Sequence, residues 1–304
     1  MSTEQFMRQK LYLIVVSVMV VLISACSDET EVAKQTENNK DPVVVSLSLA
    51  SLDTLQALEI PVHGLVKRYA LNYLSSYQTE QYQDVGTFFE PNIEAIAALE
   101  PDLIIIGPRS ANHKQQLSKI STVLDASVWG GDFLTQFHQS SLQIADHFNK
   151  RPEAQDILDR IDGKISTLRQ LASQQGNGLL VVVRGGQLYK FDQSSRFGWF
   201  YDELGIPSAI DDSKGTEHGE LISFEWLVQV NPDWLFVLDR DAGIGLPVGN
   251  AVSLFDNELV DQLSATKNNQ LVYLDGYVWG TVGYGLSAVE RSVDQLLQLY
   301  SAHQ

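Results

Sequence analysis

IEAIAALEPDLIIIGPR, from Ile93 to Arg109, and FEWLVQVNPDWLFVLDR, from Phe224 to Arg240, follow one template. Each has Glu at its second position, Pro-Asp beginning seven residues later, an apolar run, and Arg fifteen residues after the Glu. The copies lie 131 residues apart without a gap. In each, a helix is predicted to stop before the Pro, because the residue preceding a proline is pushed out of the helical region. The apolar run that follows, Leu103 to Gly107 or Trp234 to Leu238, lacks polar alternation. A strand of that kind is buried on both faces, as strands of a parallel sheet are.

Working outward, Leu179 to Val183 and Leu271 to Leu274 read as further strands of the same type. VVVSLSL from Val43 reads as another, leading into a helix at Asp53 to Leu58 with Ser51 or Asp53 as its cap. Leu142 to Phe148 and Glu153 to Ala172 carry apolar residues at helical spacing and end in the turn-forming QQGNG. Strands alternating with helices imply parallel sheets covered on both faces. The expected organisation is an N-terminal α/β lobe over 43–141, a linking helix over 142–175 and a C-terminal α/β lobe over 176–304. Each lobe carries one copy of the repeat. Ligands of open parallel sheets sit at the carboxyl ends of strands. Arg109 and Arg240 fall just past two such ends, and Arg196 lies in the SSRFG loop after a strand, so the three are expected to face one cleft. A guanidinium offers five donors in a fixed fork, so a cage of them suits an oxygen-rich polyanion.

The first 25 residues read as a secretory signal: Arg8 and Lys10, then the 13-residue apolar run Leu11 to Ile23, then Ser24-Ala25. That run is shorter than the roughly 20 residues a spanning helix needs. Cys26 follows at once, and Ile-Ser-Ala-Cys resembles a bacterial lipoprotein signal, which implies lipidation at Cys26. Residues 26–42 are polar and free of aromatics, the composition of a flexible tether. As the only cysteine of the chain, Cys26 leaves no internal disulfide and no Cys-based zinc site. The 304 residues carry 21 basic and 38 acidic side chains, a balance that argues against nucleic acid as partner.

DVGTFFEPNIEAIAALEPDLIIIGPR, SSRFG, HGELISFEWLVQVNPDWLFVLDR and LVYLDGYVWG together resemble the substrate-binding lipoproteins that deliver ferric catecholate siderophores to ABC importers, from about Val43 to the C-terminus. The resemblance implies two Rossmann-like lobes with parallel-sheet cores joined by a single long helix, a class III periplasmic binding protein-like fold. It implies no intrinsic cofactor and no enzymatic activity. The transported ligand is an Fe(III)-siderophore held by Arg109, Arg196 and Arg240, and His218 is a possible direct iron ligand. Trp279, Trp199, Phe197 and Tyr189 are candidates for contact with catechol rings, and Tyr284 for the ligand set. Where relatives that ligate iron place a Tyr after the C-terminal Trp, this chain has Gly280; Tyr277 and Tyr284 are nearby. Glu94 and Glu225 are implied to dock onto basic pockets of the permease, although acids in a first helical turn also favour the macrodipole. The expected protein is a monomer, exported and lipid-anchored in the periplasm or at the outer face of the cytoplasmic membrane.

Gly-x-Ser-x-Gly, His-Glu-x-x-His and Walker motifs are absent, and GGDF at Gly130 to Phe133 reads as a turn leading into a helix. The alternative cargoes on the same fold are a hydroxamate siderophore, haem or cobalamin. A bare metal ion is the weakest of these readings, because only His218 of the six His lies in a motif.

Overall fold

A computed structural model describes residues 41–210, 215–246 and 251–303. The signal, Cys26 and most of the tether lie outside them. Two five-stranded sheets organise the described residues. The first is parallel throughout, in the order β3-β2-β1-β4-β5, built from Val44–Leu47, Gly64–Leu65, Gln83–Asp84, Leu103–Ile106 and Thr122–Asp125 as β1 to β5. The second, in the order β10-β9-β6-β7-β8, uses Gly178–Arg184, Gln187–Phe191, Glu220–Ile222, Trp234–Asp239 and Leu271–Leu274 as β6 to β10. Its core, β10-β9-β6, is parallel, as the unbroken apolar runs predict. Its other edge is antiparallel, which strand-helix alternation does not predict. The cause is the pair Gly185-Gly186, whose positive φ angles of 57° and 72° give the tight turn that sends β7 straight back along β6.

The repeats become equivalent helix-strand units. Helices at Leu49–Ala57, Ile93–Ala98, Phe133–Asp146, Arg151–Ala172, Phe224–Val230 and Leu286–Ala302 are called α1 to α6 here. In the repeats, α2 precedes β4 and α5 precedes β9. Asn92 caps α2 and Ser223 caps α5, each side-chain oxygen accepting from the backbone N–H three residues on. The helical stretch expected between the sheets is two helices, α3 and α4, with the GGDF segment supplying the start of α3. The cap of α1 differs from expectation. Ser48 is the N-cap, its Oγ accepting from Ser51 N–H, and Asp53 sits inside the helix, fully buried. The strand thus ends at Leu47, and Asp53 is needed elsewhere.

It is needed at α6. Asp53 Oδ2 accepts from the N–H groups of Ser287 and Ala288 at 2.7 and 3.2 Å, and Oδ1 accepts from Tyr73 Oη at 2.7 Å. A carboxylate on α1 therefore caps a helix more than 230 residues later. Gly285 has no side chain because a Cβ there would strike Asp53 Oδ2. Burial pushes the Asp53 carboxyl up to about 6, against the opposing pull of these donors.

Along β6 the side chains alternate between two cores. Leu180 and Val182 join the larger apolar cluster with the first sheet, α1, α4 and α6. Leu179, Val181 and Val183 face a smaller cluster with Leu227, Leu235 and Val237. The buried stripe of α4, Ala154, Leu158, Ile161, Ile165, Leu168 and Ala172, lies in the larger cluster. On its outer side Arg160 and Lys164 reach Glu290 of α6 at 2.7 and 2.8 Å. Arg160 first, then Lys164, hold the Glu290 carboxyl down at about 2.

Candidate functional site

The repeat ends where the chemistry begins. After β4 the chain turns through Gly107-Pro108-Arg109. Ser110 Oγ fixes this turn, accepting from Gly107 N–H at 3.0 Å and donating to Leu47 O at 2.9 Å. Gly107 is required by close approach: a Cβ would lie 2.7 Å from Tyr284 Oη and 2.9 Å from Ser48 Oγ. The carboxyl ends of β1 and β4 thereby form one side of a cavity. Its other walls come from Phe88, the 128–133 segment, Arg196 to Trp199, and Trp279 to Tyr284. It holds about 770 Å³ of open space, mouth included.

Aromatic rings dominate the wall. Phe133 stacks on Trp199 at 4.3 Å and 8°, and Trp199 on Trp279 at 5.3 Å and 21°. Trp279 is locked by its indole N–H donating to Gln295 Oε1 at 3.0 Å. Trp129, 43% exposed, stands at the mouth. Flat, rigid apolar surfaces of this kind favour a planar ring in the ligand.

The charges are cationic. Arg109 donates to the carbonyls of Thr281 and Gly280, both at 3.3 Å, and its guanidinium stands 5.6 Å from the Phe88 ring. Arg196 lies between the rings of Phe191 and Phe197, at 5.5 and 5.0 Å, and its buried Nε has no hydrogen-bond partner. Arg240 begins the turn after β9 and pairs with Asp241 Oδ1 at 3.1 Å. Burial, then the neighbouring charges of Arg109, Arg240 and Arg184, press the Arg196 pKa down to about 10. Burial also lowers that of Arg109, with Arg240 adding to the effect. Of the three guanidinium groups expected from the sequence to face one cleft, Arg109 and Arg196 line the cavity, and Arg240 stands outside its lining, near enough for its charge to bear on both. Among the described residues no carboxylate pairs with Arg109 or Arg196. Such an arrangement is unfavourable in itself and is relieved by a multivalent anion.

The remaining candidates fall differently. Trp279 and Tyr284 line the cavity, as do Phe197 and Trp199. Burial pushes the Tyr284 phenol up to about 12, with Ser48 as its hydrogen-bond partner, so it stays protonated. Tyr277 is committed elsewhere, accepting from Leu71 N–H and donating to Tyr69 O, each at 2.9 Å. His218 is exposed in a turn, next to Glu217, whose carbonyl accepts from Arg196 N–H at 3.2 Å. It is near the backbone of Arg196 but not among the cavity residues. Tyr189 lies outside the cavity under Arg184. Glu94 and Glu225 are both exposed in the first turns of α2 and α5. Sequence reasoning missed Phe88, Trp129, Phe133 and the start of α1, which come from loops and helix ends with no shared motif.

A family model described as periplasmic binding protein matches residues 44–278. The petrobactin-binding protein YclQ of Bacillus subtilis is 30% identical over 95% of this chain and 98% of its own length. The ferric-anguibactin-binding protein FatB of Vibrio anguillarum is 30% identical over 87% of this chain and 84% of its own. Among solved structures, that of YclQ superposes with a TM-score of 0.81 at 32% identity, covering 86% of this chain and 93% of the other. The periplasmic catecholate-siderophore binding protein VctP from Vibrio cholerae gives 0.78 at 30%, covering 84% and 93%. The two helix-covered sheets with parallel cores are therefore the class III fold expected from the sequence. The chain belongs to the periplasmic binding protein family.

Proposed function

We propose that the chain is a substrate-binding protein that captures an anionic ferric siderophore, of the catecholate type, and hands it to an ABC importer. One observation carries the reading: the half-buried Arg196, whose buried Nε has no partner, lines an aromatic-walled cavity beside a second guanidinium, Arg109. Catecholates supply what that wall and those donors ask for, planar rings and anionic oxygens on one molecule. Fe(III) arrives already held by its carrier. Among the described residues no group of three His, Cys, Asp or Glu is placed to hold a metal ion. The names of YclQ, FatB and VctP support the same class of cargo. The role is binding and delivery, not catalysis. Cys26 carries the lipid that keeps the exported chain at the membrane, and residues 26–42 tether it.

The test is a titration of the chain from Ser27, following tryptophan fluorescence, with a ferric catecholate, a ferric hydroxamate, haemin and cobalamin in parallel. Trp199 and Trp279 lie in the cavity wall, so ligand there quenches them. Submicromolar quenching by the catecholate alone is the expected result, and quenching by haemin or cobalamin alone would overturn the cargo.

Delivery requires a grip on the transporter. Glu94 and Glu225 are exposed at equivalent points of the two repeats, and a hydrogen bond with Ser223 holds the Glu225 carboxyl below its usual range. The double variant Glu94→Arg, Glu225→Arg is expected to bind the ferric catecholate with unchanged affinity. Uptake of radiolabelled iron should fall at least tenfold, by like-charge repulsion at the permease. Retained uptake would assign the two acids to helix starts only.

A further inference from the structure

Among the described residues, Trp129 is the exposed large apolar side chain that also lines the cavity. A single exposed indole is ordinary at a protein surface; one mounted on a fixed backbone at a cavity mouth is not. Gln136, in the first turn of α3, grips the backbone of Trp129 from both sides. Its Oε1 accepts from Trp129 N–H at 3.0 Å, and its Nε2 donates to Trp129 O at 3.1 Å and to Gly131 O. Gly130, at a φ of 76°, lets the chain double back between these anchors. At the other end of the segment Glu203 accepts from Leu134 N–H at 2.8 Å, serving α3 as the cap that the Asp132 side chain does not supply. With the backbone held, only staggered side-chain torsions move the indole.

The inner rings cover one another's faces. Trp199 stacks on both Phe133 and Trp279, and Phe133 also on Phe137. Trp129 enters no such stack among the described residues, so it brings a ring face to the cavity that the protein itself leaves open. The guanidinium groups of Arg109 and Arg196 lie in the same cavity lining.

We propose that Trp129, positioned by Gln136, is a further ligand-binding residue, stacking its open face on the outermost catechol ring of a chelate whose oxygens Arg109 and Arg196 hold inside. The inference rests on the ferric-catecholate reading and deepens it, giving the mouth a preference for a planar ring. Catechol rings around one Fe(III) project in different directions, so one can meet the mouth while the others enter. A π-face against an indole is favourable beyond the area it buries.

The experiment titrates the chain from Ser27 calorimetrically with a ferric tris-catecholate, as wild type, Trp129→Ala, Trp129→Phe, Gln136→Ala and the double variant Trp129→Ala, Gln136→Ala. Trp129→Ala is expected to raise Kd about tenfold with an unchanged melting temperature, and Trp129→Phe, which keeps a ring face, by no more than about threefold. Gln136→Ala should raise Kd about threefold alone and not at all in the Trp129→Ala background, because it acts through the ring. Bound gallium tris-catecholate, of the same charge, should shield wild-type fluorescence from acrylamide, and the shielding should be absent in Trp129→Ala. Unchanged Kd in Trp129→Ala, or Trp129 still open to acrylamide in the complex, would overturn the contact. Losses that add in the double variant would overturn the positioning role of Gln136. Each of these leaves the cargo assignment standing, whereas a wild type that binds no ferric catecholate would overturn that assignment and this inference with it.

Discussion

Arg196→Ala is expected to weaken ferric-catecholate binding about 100-fold while leaving the melting temperature unchanged or raised. The two effects share one cause. A buried cation without an anionic partner is a cost to the free protein. Here Nε is buried and unpartnered, and Arg109, Arg240 and Arg184 add like charge around it. Phe191 and Phe197 offset part of that cost through their ring faces. Removing the guanidinium relieves the free protein but takes away a fork of donors to the ligand, worth about 3 kcal/mol at a buried charge-assisted contact. Arg196→Lys keeps the charge and loses the fork, so an intermediate loss of about tenfold is expected. Calorimetric titration and thermal melts on the same samples check both halves. A large fall in melting temperature with unchanged Kd would make Arg196 a packing residue.

The second large effect lies at Asp53, away from the cavity. Asp53→Ala leaves two N–H groups of α6 and the Tyr73 hydroxyl without their acceptor, and is expected to cost about 3 kcal/mol of stability. Asp53→Asn isolates the charge. Because the folded carboxyl titrates at about 6 against an ordinary value of 3.8, the folded protein binds the proton more tightly than the unfolded chain. That contribution to stability is full below about pH 4 and is lost as the pH rises through about 6, by up to about 3 kcal/mol. The Asn variant does not titrate there. Its stability relative to wild type should therefore increase between pH 4 and pH 6, as read from denaturant melts across that range. A constant difference would mean that the helix N-terminus holds Asp53 ionised throughout.

Much of this was legible because the repeat couples fold to site. An apolar run flanked by Pro-Asp and Arg fixes a buried parallel strand and puts a guanidinium at its carboxyl end. Arg109 and Arg240 therefore follow from the same pattern as β4 and β9. Arg196 was legible from its loop, and Trp279 and Tyr284 from the closing segment. What the sequence hid is long-range. Ser48 rather than Ser51 or Asp53 caps α1 because Asp53 is claimed by α6, and no local pattern signals a contact across that much chain. The antiparallel β7 was written in Gly185-Gly186, a two-residue hairpin signal masked by the parallel character of β6. The pairing of Arg240 with Asp241 is local yet needs the Asp241 burial to become visible, and it changes which arginines carry free charge. The aromatic wall joins Phe133, Trp199 and Trp279 from three separate segments, which only the packed structure brings into one stack.

A crystal structure of the chain with a ferric catecholate, recorded at the iron absorption edge, decides whether the guanidinium-lined cavity is where the ferric chelate sits. A single anomalous peak is expected in the cavity, with catecholate oxygens within hydrogen-bonding distance of Arg109 and Arg196 and a ring against the Trp199–Trp279 wall. Iron located outside the cavity, or a chelate inside it that leaves the Arg196 guanidinium without contact, would rule out this binding site.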